Sequence, residues 1–197
     1  MKDQRLNKLI KISLLGAIAF LLMFIEFGLP MFPSFLKVDI SDLPALIGAF
    51  AFGPVAGVIV ELLKNLLHLV FKNSTAGVGE LANFLVGAIL VFVSGLVYKR
   101  SKTKKNAVIS LIIGSLAMTI GACILNYFVF LPLYETVLHF PIKAIVAMGT
   151  ALNSNIKDLN TFIVWSIAPF NLLKAAIVSA ITLLIYKRVS PILHKQR

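Results

Sequence analysis

Asn171 and Lys174 lie three residues apart in an apolar stretch near the chain's end. On a helix they share a face. Together they offer an amide that donates and accepts and an ammonium with three donors. That set suits the carbonyl-rich edge of a flat ligand. It equally suits a lysine reaching toward the membrane surface and an asparagine bonding a neighbouring helix. Asn126, followed by Tyr127, Phe128 and Phe130, adds a second amide beside rings that could stack on such a ligand, or that form an interfacial aromatic belt. Glu61, Lys64 and His68 stand at i, i+3 and i+7, a spacing for a proton relay or, as we favour, an intramembrane Glu61–Lys64 pair that ties helices together.

Two connecting segments carry further polar groups. Lys37 to Pro44 alternates Val38 and Ile40 with Asp39 and Ser41, which predicts extended chain that could cover a cavity. Asp42, ahead of Leu43 and Pro44, is expected to cap a helix that also contains Ala45. Asn73 to Asn83 holds Ser74, Thr75, Gly77, Gly79 and Glu80, predicting a compact turn entering a helix. Thr75 or Ser74 could bond a ligand, and Glu80 and Asn83 share a face, although the helix dipole alone favours Glu80 there. Asn73-Ser74-Thr75 also matches a glycosylation acceptor pattern, a weak three-residue signal. No H-E-x-x-H, phosphate loop or Ser-His-Asp pattern occurs, and His68, His139 and His194 are far apart. Enzyme chemistry therefore has little support. The lone Cys123 has no metal-type partner at ligand spacing and reads as a small buried hydrophobe.

The elements that must position these groups are membrane spans. Of 197 residues 59% are hydrophobic and 14% charged, against about 25% charged in a soluble domain. Mean hydropathy is +0.94. A span needs about 20 apolar residues, so the length accommodates about six. The net charge of +11 would suggest nucleic acid in a soluble protein. Here the positives sit at the ends of apolar runs, so no nucleic-acid partner is expected. The first run ends at Glu26, Gly28 and Pro30 without a cleavage pattern, and is read as a retained span rather than a signal peptide.

Gly53-Pro54 interrupts the long run 43–71. Proline at that point opens a new helix. A turn there gives spans of about 9–28, 43–52, 55–71, 80–99, 107–131 and 163–187. In that order both termini and the block from Lys99 to Lys105 fall on the cytoplasmic side, with thirteen of the 19 basic residues, as cationic short loops prefer. The expected fold is thus a single all-α membrane domain, 1–197, with six transmembrane helices and an outward-facing ligand cavity. The segment 132–160 is too apolar for a solvated loop, and Ile142 to Leu152 is expected to be helical. On the first span Ser13 and Ala17, with Gly16 nearby, form a small-x-x-x-small face for another helix.

These stretches resemble the substrate-binding S-components of energy-coupling factor (ECF) vitamin transporters, over nearly the whole chain. The resemblance rests on Asp42 to Gly57, Lys64 to His68, Asn73 to Asn83, and Pro169 to Lys174. The Gly-Pro turn marks the superfamily, while Asn126 with Asn171 and Lys174 is similar to its riboflavin branch. The resemblance implies a protein without catalytic activity or cofactor, resident in a prokaryotic plasma membrane. It implies a ligand, riboflavin with flavin mononucleotide as a second candidate, held by Asn126, Asn171 and Lys174. Val38, Ile40, Asp42, Leu43 and Ala45 on one side, and Thr75, Gly79, Glu80 and Asn83 on the other, would complete the pocket. The partners would be a transmembrane coupling subunit and two ATPase subunits, docked on the Ser13, Gly16 and Ala17 face. Ser13 stands where such families often have alanine. The competing readings are an S-component for another vitamin, a membrane enzyme acting on lipids through Glu61, His68 or Glu80, and a proton-driven transporter using Glu61.

Overall fold

The computed structural model describes residues 2–72 and 74–194, with the side chains of residues 2, 3 and 187–194 left aside. The expected acceptor at Asn73 and the cationic side chains at the end of the chain therefore lie outside the described residues. The fold is a bundle of α-helices with one two-residue ribbon. α1 spans Lys2–Met23, and β1 (Phe27–Gly28) pairs antiparallel with β2 (Lys37–Val38) in the connection to α2. α2 (Asp42–Phe52) and α3 (Pro54–Phe71) are followed by α4 (Val78–Arg100) and α5 (Lys104–Leu125). A π-helical turn, Asn126–Phe130, continues α5 into α6 (Leu131–Val137). α7 (Ile142–Leu152) and α8 (Leu159–Phe162) come next, and a second π turn, Ile163–Ile167, leads into α9 (Ala168–His194). Among the described residues five helices are long and apolar enough to cross a membrane: Gln4–Met23, Pro54–Phe71, Val78–Arg100, Lys104–Val137 and Leu159–Tyr186.

α2 is the hub. It is apolar on every side and buried from Asp42 to Phe50, with α1, α3, α4 and α9 packed around it. A helix hydrophobic all round belongs in the centre of a bundle, and eleven residues rise only about 16 Å. Gly53 ends it at φ 101°, a conformation a residue with a Cβ rarely adopts, and Pro54 opens α3 without losing a needed N–H. Below the end of α2, Phe50 stacks on Tyr98 at 4.2 Å, and the Tyr98 and Tyr186 hydroxyls bond at 2.9 Å. This aromatic cluster packs the last turn of α2 against α4 and α9.

Gly57 sets how closely α3 approaches α2. A Cβ there would lie 2.7 Å from the Ala45 carbonyl oxygen and 2.7 Å from Ala49 Cβ. Gly57→Ala is expected to part the two helices and lower the unfolding midpoint in detergent by several degrees, since overpacking costs about 1–3 kcal/mol. An unchanged midpoint would show that the contact is not tight.

α7 covers 142–152, as the apolar pattern of that segment suggests. It buries Ile145 and Gly149, with Gly149 against the Phe162 ring. Asp158 caps α8, accepting from the Thr161 N–H at 2.8 Å while the Thr161 hydroxyl accepts from the Asp158 N–H at 2.9 Å. α1 ends at Met23, five residues short of the expected span, because the chain turns at Phe24 and Ile25 to enter the ribbon.

Candidate functional site

A cavity of roughly 360 Å³ opens at the end of the bundle where residues 24–41 and 74–77 lie between the helices. That volume falls in the range of small-molecule pockets. One wall comes from α5, its π turn and α9, which supply Met118, Asn126, Phe170, Asn171 and Lys174. The two amides are held alike. Asn126 Nδ2 donates to the Ala122 carbonyl at 2.8 Å, and Asn171 Nδ2 donates to the Ile167 carbonyl at 2.9 Å. Each is thereby fixed to its own helix, with an amide oxygen and a second N–H remaining for a ligand.

Lys174 is only 6% exposed. Its Nζ donates to Asp39 Oδ2 at 3.0 Å and lies 3.6 Å from Asp42 Oδ2. Burial pushes the Asp39 carboxyl up, but the Lys174 and Lys64 ammoniums and the hydrogen bonds from Ser41 outweigh it, holding Asp39 well below the usual carboxylate range. A depressed folded-state value means that the stabilisation is complete above the ordinary carboxylate value and fades as pH falls through the folded one. Asp39→Asn is therefore expected to lower the unfolding midpoint by several degrees at pH 7, because stranding a buried charge costs about 3–5 kcal/mol. The gap between parent and variant should narrow below about pH 4. A gap that is constant with pH would remove Asp39 from this role.

The opposite wall is built by α3, α4 and the turn between them. His68 Nδ1 and Glu80 Oε1 are 2.9 Å apart, and the Thr75 hydroxyl donates to Glu80 Oε2 at 3.1 Å while accepting from the Gly79 N–H at 3.0 Å. Gly77, at φ 85°, makes the turn that brings Thr75 back over the start of α4. Asn83 lines the same wall. At the mouth, Glu26 accepts from Lys37 at 2.7 Å and from Lys72 at 2.9 Å, joining the ribbon to the end of α3. Burial raises the Glu26 carboxyl, yet the bonds and charges of the two lysines prevail and lower it.

Eight of the residues expected from sequence line this cavity: Asn126, Asn171, Lys174, Ser74, Thr75, Gly79, Glu80 and Asn83. Val38, Ile40, Asp42, Leu43 and Ala45 are not among its walls. The connection 37–39 alternates as expected, but in the opposite phase. Val38 is fully buried and packs with Phe32 and Phe170, so its neighbours Lys37 and Asp39 meet the cavity instead. Leu43 and Ala45 belong to the hydrophobic core around α2. Asp42 does not cap α2. Ser41 occupies that position without a side-chain cap bond, and the Asp42 carboxylate pairs with Lys64. Residues beyond the sequence expectation also form the walls, among them Glu26, Phe35, Lys37, Asp39, His68, Lys72, Tyr134 and Phe170. The phase of the alternation was readable for Asp39, since an apolar Val38 belongs to the core. The distant partners of Glu26 and His68 left no local signal.

On α1, Ser13 and Ala17 are exposed, whereas Gly16 is buried with Leu63 side-chain atoms 3.1 Å from where its Cβ would be. Gly16 is one turn from Ser13, but it lies on the side of α1 that packs against α3. Gly16 therefore serves the internal α1–α3 contact and is not part of an outer docking strip.

The profile of the family described as "ECF transporter, substrate-specific component" matches residues 7–186. The chain belongs to that family. This S component is 41% identical to the riboflavin transporter RibU of Staphylococcus aureus (strain TCH60), over 98% of its own length and 95% of the relative's. It is 36% identical to the riboflavin transporter FmnP of Bacillus subtilis (strain 168), over 98% and 97%. Among solved structures it is similar to the S component of a bacterial ECF transporter, with a TM-score of 0.75 and 38% identity, covering 99% of this chain and all of that one. The S component is thus a multi-pass plasma-membrane protein of an all-α class, a substrate-binding transporter component rather than an enzyme.

Proposed function

We propose that this chain captures riboflavin in the cavity and delivers it inward with an ATP-driven ECF module. The observation that carries this reading is the convergence of the Asn126 and Asn171 amides and the buried Lys174 ammonium on one space. The pyrimidine edge of an isoalloxazine presents two carbonyls around an N–H, and needs donors and an acceptor in one plane. Asn126, Asn171 and Lys174 can supply them. Phe170 and Tyr134 offer ring surface beside them, and the Glu80, Thr75 and Asn83 wall offers polar groups for the ribityl hydroxyls. At the mouth Lys37 and Lys72 share the single carboxylate of Glu26. That excess of positive charge favours flavin mononucleotide as a second ligand.

In this reading α2 counts as a sixth, short span, with both termini cytoplasmic and the cavity facing outward. The whole chain acts as one membrane domain. A transmembrane coupling subunit and two ATPases would supply the energy, docked on the exposed Ser13 and Ala17 strip of α1. The absorbance spectrum of protein purified in mild detergent from riboflavin-replete cells tests the ligand directly. A yellow preparation with about one flavin per chain is expected, in keeping with a single-ligand pocket of this size. A colourless preparation that also fails to quench riboflavin fluorescence would defeat the riboflavin reading.

A further inference from the structure

Behind Lys174 lies a chain of buried charge. Asp42, which is fully buried, turns one carboxylate oxygen toward Lys174 and gives the other to the Lys64 ammonium. Lys64, also fully buried, donates to the Ser41 hydroxyl at 2.8 Å and lies 2.8 Å from Glu61 Oε2. Glu61 fits there because Gly87 of α4 has no side chain: a Cβ on Gly87 would come within 2.7 Å of Glu61 Oε2. The series Glu61, Lys64, Asp42, Lys174, Asp39 thus runs from the α3–α4 contact through the head of α2 to α9 and the outer connection.

Five buried ionisable groups are a poor way to gain stability, because desolvation consumes most of the Coulombic attraction. What they do provide is fixed geometry. A lysine ammonium is a point charge on a flexible four-carbon stem. If Asp39 alone held Lys174, the ammonium would follow a connection that contains only a two-residue ribbon. Asp42 ties it instead to the first turn of the central helix. Of three N–H groups, Asp39 accepts from one, and the Asp42 carboxylate 3.6 Å away draws the ammonium by charge, which leaves N–H groups for the cavity that Lys174 lines.

We propose that Asp42, anchored by Lys64, is a positioning residue: it fixes the Lys174 ammonium to the helical core, so that a ligand carbonyl meets a donor already in place. This rests on the reading that Lys174 meets a flavin. Asp42 itself stays out of the cavity and acts through Lys174.

Riboflavin titration of the purified full chain, followed by fluorescence quenching, tests this with Asp42→Asn, Lys174→Met and the double variant. Asp42→Asn is expected to weaken binding about tenfold in the parent, the scale of a displaced charge-assisted hydrogen bond. In the Lys174→Met background the same change should alter affinity by less than about twofold, because residues acting through one contact are not additive. The visible band of the bound flavin, which responds to a cation at its carbonyl edge, should shift in Asp42→Asn toward its position in Lys174→Met. Lys64→Met with Glu61→Gln removes the ammonium that anchors Asp42 together with the carboxyl beside it. It asks the same question should Asp42→Asn fail to fold, and the same non-additive loss is expected. An equal loss from Asp42→Asn in both backgrounds, or no loss in either, overturns the proposal. A parent chain that does not bind riboflavin overturns instead the ligand assignment on which it rests.

Discussion

Lys174→Met is expected to weaken riboflavin binding by about a hundredfold or more. A hydrogen bond to a charged group contributes about 1.5–3 kcal/mol, and 2.8 kcal/mol corresponds to roughly a hundredfold in affinity. The variant loses more than one bond. Asp39 and Asp42 would be left facing each other without the ammonium between them, so the wall should distort as well as lose a donor. Asn171→Leu, one turn away on α9, removes a neutral amide and should cost less, about tenfold. Fluorescence quenching of riboflavin by the purified variants measures both. Affinity preserved in Lys174→Met, in a protein that still unfolds cooperatively, would take Lys174 out of the ligand site.

Ala17→Trp is expected to abolish riboflavin uptake by cells while leaving the affinity of the purified chain within about twofold of the parent. Ser13 and Ala17 are exposed on α1 beside the exposed Leu14, Ile18 and Leu21 side chains. Only a small residue there lets a second helix come close. A tryptophan would hold that helix away without touching the cavity, which α1 reaches only at Met23. Gly16→Leu is the instructive contrast. It would press on Leu63 inside the bundle and should impair binding and uptake together through loss of folded protein. Uptake that survives Ala17→Trp would place the docking surface elsewhere.

Local signals carried the backbone a long way. Gly53-Pro54 announced the break between α2 and α3, since one residue needs a left-handed φ and the other cannot continue a helix, and the apolar window 142–152 matched α7 to the residue. Asn171 and Lys174 could be assigned to one face by helical periodicity alone. The side-chain pairings were a different matter. Lys64 has a visible partner at Glu61 three residues away, but it also reaches Asp42 across 22 positions, and Lys174 reaches Asp39 across 135. No periodicity links such residues, because the link is made by helices meeting around α2. The same fact explains Asp42: as the residue before Leu43-Pro44 it has the chemistry of a cap, and the buried ammonium of Lys64 outcompetes that local role. Gly16 shows the limit of small-residue patterns, which say that two helices come close without saying which two.

The π turn at Asn126–Phe130 gives the ligand site a local buffer against a change in chain length. A π turn accommodates one more residue than an α turn, and Asn126 opens it while Tyr134, on α6 beyond it, lines the same cavity. Deleting one residue inside the turn would restore a regular helix, and because the wider turn had absorbed that residue, α6 would keep the face it presents to the cavity. Tyr134 would stay on the side of Asn126, and the change would fall on the turn itself, between Asn126 and the buried Phe130. The stretch can thus lose its one extra residue at the turn without turning α6 away from the site, whereas a deletion in the regular part of α5 would rotate everything after it by about 100°.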